Sequence, residues 1–148
     1  MIVKKCMTTK VELGNPNMSL FEAAKKMRDG DFGILPIEDN DRLIGVITDR
    51  DIAVRGVAEG LDPNKVQVSQ IMTDRVLYCF EDQSLDEVAQ NLGENRIRRL
   101  PVLNRQKRLV GILSLGDLAQ SHLNPKQLEA TLATLSKRTS EPGKTMFQ

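Results

Sequence analysis

The chain has 148 residues, with 21 Lys and Arg against 20 Asp and Glu, for a net charge of +1. That length serves one compact domain or two small repeats sharing a core, and so small a charge creates no overall field toward nucleic acid or membrane. Four Phe, one Tyr and no Trp leave little for stacking single-stranded bases, and no apolar run reaches the roughly 18 residues a bilayer-spanning helix needs.

An internal repeat organises the chain. Met7-Thr8 returns as Met72-Thr73, Ser19-Leu20 as Ser84-Leu85, and Leu35-Pro36-Ile37 as Leu100-Pro101-Val102. One residue is gained in the turn after Glu38, so Arg42-Leu43-Ile44-Gly45 returns as Arg108-Leu109-Val110-Gly111, as a surface loop tolerates. We divide the chain into repeat one at 1–60, a linker at 61–70, repeat two at 71–122, a C-terminal helix at 123–137 and a disordered tail at 138–148. Each repeat reads as β-α-β-β-α, which makes the fold class α/β (α+β).

In chain order, Val11 and Leu13 suggest a short strand, and Ser19 opens a helix with Glu22 positioned to close a capping box. Leu20, Ala23, Ala24 and Met27 form its buried stripe, and Asp29-Gly30-Asp31 ends it. Phe32–Ile37 is a strand holding Pro36, which belongs at an edge or strand end. A polar turn at 38–41 leads to the apolar strand Leu43–Ile47, and a helix is expected from Asp49 to Ala58. Asp62-Pro63 predicts a helical turn in the linker. Repeat two follows the same plan, with strands at Val76–Cys79, Ile97–Leu103 and Leu109–Leu113, a helical stripe at Leu85, Val88, Ala89 and Leu92, and a helix from Leu115. Asn124-Pro125 then caps a final helix whose stripe is Leu128, Leu132 and Leu135.

The chemistry concentrates in two matching stretches, Gly45-Val-Ile-Thr-Asp-Arg-Asp-Ile52 and Gly111-Ile-Leu-Ser-Leu-Gly-Asp-Leu118. Each runs from a buried strand into a helix and places a hydroxyl and an Asp at the helix start, where unpaired N–H groups can hold a phosphate and the Asp can accept from a ribose diol. The plain alternative is a helix cap. Ser19/Glu22 and Ser84/Glu87 use Glu, long enough to reach back to the cap residue. Thr48/Asp51 and Ser114/Asp117 use Asp, one methylene shorter and expected to close the box less well. The preceding glycines are expected where a ligand comes close, and the turns lie beyond strand C-termini, where ligands collect in sheets with helical crossovers.

The repeats differ in charge. From Asn95 to Gly116 there is no acidic residue, while Arg96, Arg98, Arg99, Arg105, Lys107 and Arg108 all fall there. A solvated basic face is one reading; a phosphate-holding wall is the other. Arg98 and Arg99 point to opposite faces of a strand, and we assign Arg99 to the ligand side. Repeat one has the more polar turn, repeat two the better supply of cations, so a ligand with several phosphates is expected to gain most from repeat two.

Two β-α-β-β-α copies, each with Leu-Pro-Ile/Val and then Gly-x-x-Thr/Ser-x-x-Asp, resemble a cystathionine β-synthase (CBS) domain pair, or Bateman module, over about residues 1–122. The resemblance implies repeats packed through their sheets about a pseudo-two-fold axis, with two clefts for adenosine compounds such as AMP, ADP, ATP, S-adenosylmethionine or NAD-type dinucleotides. By position, Thr48 with Asp51 and Ser114 with Asp117 would hold ribose and phosphate. Ile34, Pro36, Pro101, Lys10, Val11 and Val76 would wall the pockets. The family also implies a regulatory role, a homodimer and a target protein. With no catalytic or channel domain alongside, a stand-alone module is expected.

Other functions are weighed against this reading. A dimeric scaffold with empty clefts would bind a partner without ligand, and a nucleic-acid module would use the Arg96–Arg108 face. No catalytic residue is expected, because neither Cys6, Cys79 nor His122 has an orienting partner nearby in sequence. The same isolation argues against a metal site. The two cysteines form no C-x-x-C and read as idle thiols. The N-terminus lacks the apolar stretch of a signal peptide, so a cytoplasmic location is expected, with no membrane contact and no covalently bound cofactor.

Overall fold

The repeat is visible in the backbone of the computed structural model, which describes residues 1–95, 97–121 and 124–136. One unit is Glu12–Val76. The other joins Met1–Val11 to the chain from Leu77 onward.

In the first unit Ser19 caps α1 (Leu20–Gly30), its hydroxyl accepting the Glu22 N–H at 3.1 Å. Leu20, Ala23 and Met27 are buried, and Asp31, at φ 54, turns the chain out of the helix in the left-handed region. β1 (Ile34–Asp39) and β2 (Arg42–Thr48) pair antiparallel. Asn40 and Asp41 both have positive φ (51 and 62) and form the two-residue hairpin turn that suits strand twist. Pro36 sits inside β1 opposite Val46. Its carbonyl accepts the Gly14 N–H on the outer edge, so its missing N–H also faces outward and the β1–β2 ladder loses nothing.

The helix expected after Thr48 is only partly α. α2 (Asp49–Asp51) continues as a π-helix over Ile52–Val57. Gly56 lies where Leu20 passes: an added Cβ would stand 2.9 Å from Leu20 Cδ1. The core gathers Leu20, Met27, Leu35, Ile37 and Ile47 with Val68 and Ile71 from the following segment. Asp62 starts the expected helical turn, with Asn64 N–H bonded to its side chain and Val66 N–H to its carbonyl.

The second unit contains β3 (Cys79–Phe80), α3 (Leu85–Asn95), β4 (Arg99–Leu103), β5 (Leu109–Ser114), α4 (Leu115–Ala119) and α5 (Pro125–Ser136). Its sheet order is β3-β4-β5, with β3 parallel to β4 and β4 antiparallel to β5. Val3 is fully buried here among Cys79, Leu85, Val88 and Leu113. Met1–Val11 is held by Val3 N–H on Gln83 O, Lys4 N–H on Glu81 O, and a reciprocal pair of 2.9 Å bonds between Thr8 and Ile112. Thr73 makes the same reciprocal pair with Val46 in the first unit. The Met-Thr segment near the start of each repeat therefore lies on the last strand of the other repeat.

Three expectations change. No strand forms at Val11–Leu13; only Gly14 bridges to Ile37, because Asn15-Pro16 turn the chain at once. The strand expected at Val76–Cys79 shrinks to Cys79–Phe80, the only residues of the segment paired with β4. In α5 the buried residue is Thr131, at 2% exposure, while Leu132 is 41% exposed. Gly93 on α3 lets the helices approach: its Cβ position lies 3.4 Å from Thr131 Cα, and the Thr131 hydroxyl donates to Ala89 O. Of the expected stripe, Leu128 packs against the core and Leu135 is half-buried, while Leu132 turns outward and Thr131 takes its place. Arg96, His122 and the expected disordered tail lie outside the described residues.

Gly45 and Gly111 are fixed by close backbone approach. A Cβ on Gly111 would lie 2.7 Å from Met7 Sδ and 2.8 Å from Thr8 O; on Gly45, 2.6 Å from Met72 Sδ and 2.9 Å from Thr73 O. Main-chain oxygens held in bridges cannot give way, so Gly111→Ala is expected to cost about 1–3 kcal/mol in urea unfolding. Gly116→Ala meets only Ser114 Oγ at 3.5 Å and serves as the near-neutral control.

Candidate functional site

Both strand-to-helix turns are closed capping boxes. Thr48 N–H donates to Asp51 Oδ2 at 3.0 Å, and Asp51 N–H returns to Thr48 Oγ1 at 3.1 Å. Ser114 N–H donates to Asp117 Oδ2 at 2.9 Å, and Asp117 N–H to Ser114 Oγ at 3.0 Å. Asp was expected to close the box less well than Glu, yet both boxes close completely. The cap residues are extended (φ −112 in both), and this places their N–H within reach of the short carboxylate. At Ser19, by contrast, only the hydroxyl half of the box forms.

The two aspartates differ in what remains. Asp117 Oδ1 accepts from the Thr8 hydroxyl at 3.4 Å. Asp51 Oδ1 has no hydrogen-bond partner among the described residues, although the residue is 9% exposed. Thr8 was missed as a site residue. The signal in the sequence is the repeated Met-Thr, which also aligns the copies.

The first turn leaves no backbone N–H for a phosphate. Thr48 and Asp51 N–H close the box, Asp49 N–H donates to Gly33 O at 3.0 Å, and Arg50 N–H to Asp49 Oδ1 at 2.9 Å. In the second turn Leu115 N–H likewise goes to Arg98 O. The space beside Gly45 and Gly111, expected for a ligand, is filled by the protein's own Met-Thr segments.

Strand register groups the remaining residues. Ile34 pairs with Thr48 and Pro36 with Val46, so these four side chains share one face. Arg99 pairs with Ser114 and Pro101 with Ile112, giving the corresponding face of the second unit. Arg99 is half-buried and Arg98 exposed. Lys10 is exposed, and Val11 and Val76 are half-buried; none has a hydrogen bond or ion pair to the turn residues among those described.

Arg105 is not a spare cation. It forks onto both oxygens of Asp82 at 2.8 Å and lies 4.2 Å over the Phe80 ring. The hydrogen bond from Arg105 holds the Asp82 carboxyl below its usual range. A cavity of about 280 Å³ lies between Leu77–Cys79, α3, Ile97 and Leu100, and none of the expected site residues lines it. Burial pushes the Cys79 thiol up to about 12. Among the described residues no group of three His, Cys, Asp or Glu could hold a metal ion, and no helix is long and apolar enough to cross a membrane.

Comparison with known proteins adds the context. A CBS domain family model matches residues 3–56 and again 68–123. The CBS domain-containing protein YhcV of Bacillus subtilis is 37% identical over 134 residues, covering 90% of this chain and 94% of its own. The crystal structure of the CBS domain protein TA0289 of Thermoplasma acidophilum superimposes with a TM-score of 0.80 at 27% identity, over 90% of this chain and 75% of that one. The CBS domain pair of MJ0100, solved with 5′-methylthioadenosine and S-adenosyl-L-methionine, gives a TM-score of 0.73 at 32% identity, over 81% of this chain and 98% of that one.

Two outcomes test this geometry. Asp51→Ala removes one cap bond and is expected to cost about 0.5–2 kcal/mol in urea unfolding, with Asp51→Asn costing less because it keeps an oxygen for Thr48 N–H. The raised Cys79 pKa stabilises the fold below the ordinary value of 9.0, and that contribution is lost as pH rises from 9 toward 12. Cys79 should resist iodoacetamide at pH 8 in the folded protein and react once urea unfolds it.

Proposed function

The chain belongs to the CBS domain family, and from that premise we propose that it is a regulatory module. It binds an adenosine-containing ligand at its hydroxyl–Asp turns and passes that occupancy to a partner protein. The observation that carries this reading is Asp51. The cap uses Oδ2 and thereby fixes the carboxylate, while Oδ1 remains available. A ribose diol supplies O–H donors suited to a charged, immobilised acceptor. The ligands held by the MJ0100 domain pair support the adenosine class.

In this reading Thr48 with Asp51 and Ser114 with Asp117 engage the ribose. Ile34 and Pro36, and Pro101 in the second unit, provide apolar wall. Arg99, opposite Ser114 in register, attracts phosphate at the second turn. Lys10, Val11 and Val76 complete the pockets. The ligand is AMP, ADP, ATP, S-adenosylmethionine or an NAD-type dinucleotide. The module acts as a cytoplasmic homodimer, as an energy or metabolite sensor without catalysis of its own.

Calorimetry with AMP, ATP, S-adenosylmethionine and NADH tests the proposal. At least one compound should bind and raise the melting temperature as mass action requires. Asp51→Asn and Asp117→Asn, which keep the cap oxygen, should each remove binding at one turn. No binding of any of the four at millimolar concentration would defeat it.

A further inference from the structure

The two turns differ most at the residue after the hydroxyl. Asp49 follows Thr48, whereas Leu115 follows Ser114. Asp49 is exposed, and its Oδ1 accepts the Arg50 N–H at 2.9 Å. That bond keeps the carboxylate over the start of the helix and takes a backbone donor that a phosphate would otherwise use. The corresponding Gly116 N–H has no such side chain before it, since its neighbour is Leu115.

The local charges diverge in the same direction. The first turn carries Asp49, Arg50 and Asp51, a net charge of −1. The residues that meet it are Gly33, just before β1, whose carbonyl receives the Asp49 N–H, and Ile34, opposite Thr48. The second turn carries only Asp117. The counterparts there are Arg98, just before β4, whose carbonyl receives the Leu115 N–H, and Arg99, opposite Ser114. The same tally there is +1. A second carboxylate within a few ångströms lowers the affinity of a phosphate by about tenfold or more at protein-surface dielectric.

We infer that Asp49 is a charge filter: the first turn accepts adenosine compounds that carry no phosphate, as nucleosides, thioethers or sulfonium derivatives, and rejects phosphorylated ones. The inference rests on the proposed adenosine binding and names the ligand class of one of its two turns. Asp49 acts as a specificity residue. Its bond to Arg50 N–H sets the carboxylate's position, and its charge does the discriminating.

The test uses full-length protein carrying Asp117→Asn, so that titration calorimetry reads the first turn. 5′-Methylthioadenosine is expected to bind at least about tenfold more tightly than AMP. Asp49→Asn keeps an oxygen for Arg50 N–H and removes the charge; Asp49→Leu installs the residue of the second turn. Both should raise AMP affinity by about tenfold and change 5′-methylthioadenosine affinity by less than about twofold. Equal binding of the two compounds before the Asp49 change, or an unchanged ratio in both Asp49 variants, overturns the filter while leaving adenosine binding intact. Failure of both compounds to bind the unsubstituted protein overturns the filter, and the binding proposal itself falls if ATP, S-adenosylmethionine and NADH fail as well.

Discussion

Two hydrogen bonds join the end of β2 to the helix that follows: Thr48 N–H to the Asp51 carboxylate, and Asp51 N–H back to Thr48 Oγ1. The same pair joins β5 to α4 through Ser114 and Asp117. A reciprocal box settles two otherwise unpaired donors at a helix start. It also locks an aspartate that would otherwise sample several rotamers. An acceptor immobilised in the free protein loses little entropy when a ligand arrives. The cap uses one oxygen of each carboxylate, and at Asp51 the other is left for the binding we propose.

The strands that end in these boxes are clamped from the other side as well. Met72–Thr73 lies on Gly45 and Val46, and Met7–Thr8 on Gly111 and Ile112, each through a reciprocal pair of 2.9 Å backbone bonds. Each glycine is needed because a neighbouring main chain occupies the space a side chain would fill. The N-terminal segment is consequently a structural part of the second unit, carrying Val3 into its core and Thr8 to Asp117. In the first unit that carboxylate oxygen stays open. Together with Asp49, this makes the two turns chemically distinct despite one shared motif.

Much of this was legible in the sequence, and the limits follow from range. The repeat, the paired strands, the helical turn at Asp62 and the hydroxyl–Asp turns are local patterns of period or spacing. The Arg99–Ser114 pairing was not legible, because the register shifts between Val102 and Leu103 and plain hairpin counting would set Arg99 opposite Leu113. Contacts between distant segments were not legible. Met7–Thr8 gave no sign of which strand it would join. Thr131 faces α3 because Gly93 admits it, although Leu132 is the more apolar choice. Arg105 is matched by Asp82, which lies outside the acid-free window and so escaped a count along the chain. The capping boxes close fully with the acid expected to close them less well, because reach depends on the extended cap residue as well as on side-chain length.

The central claim is that the turns at Thr48–Asp51 and Ser114–Asp117 are where ligand meets the protein. The most direct measurement is a titration of ¹⁵N-labelled protein with 5′-methylthioadenosine, following the backbone amides. Saturable shifts are expected on the amides of Thr48 through Asp51, with smaller changes on Ile34 and Leu35. Saturable shifts confined to other surfaces, with the amides of both turns unmoved, would contradict the claim.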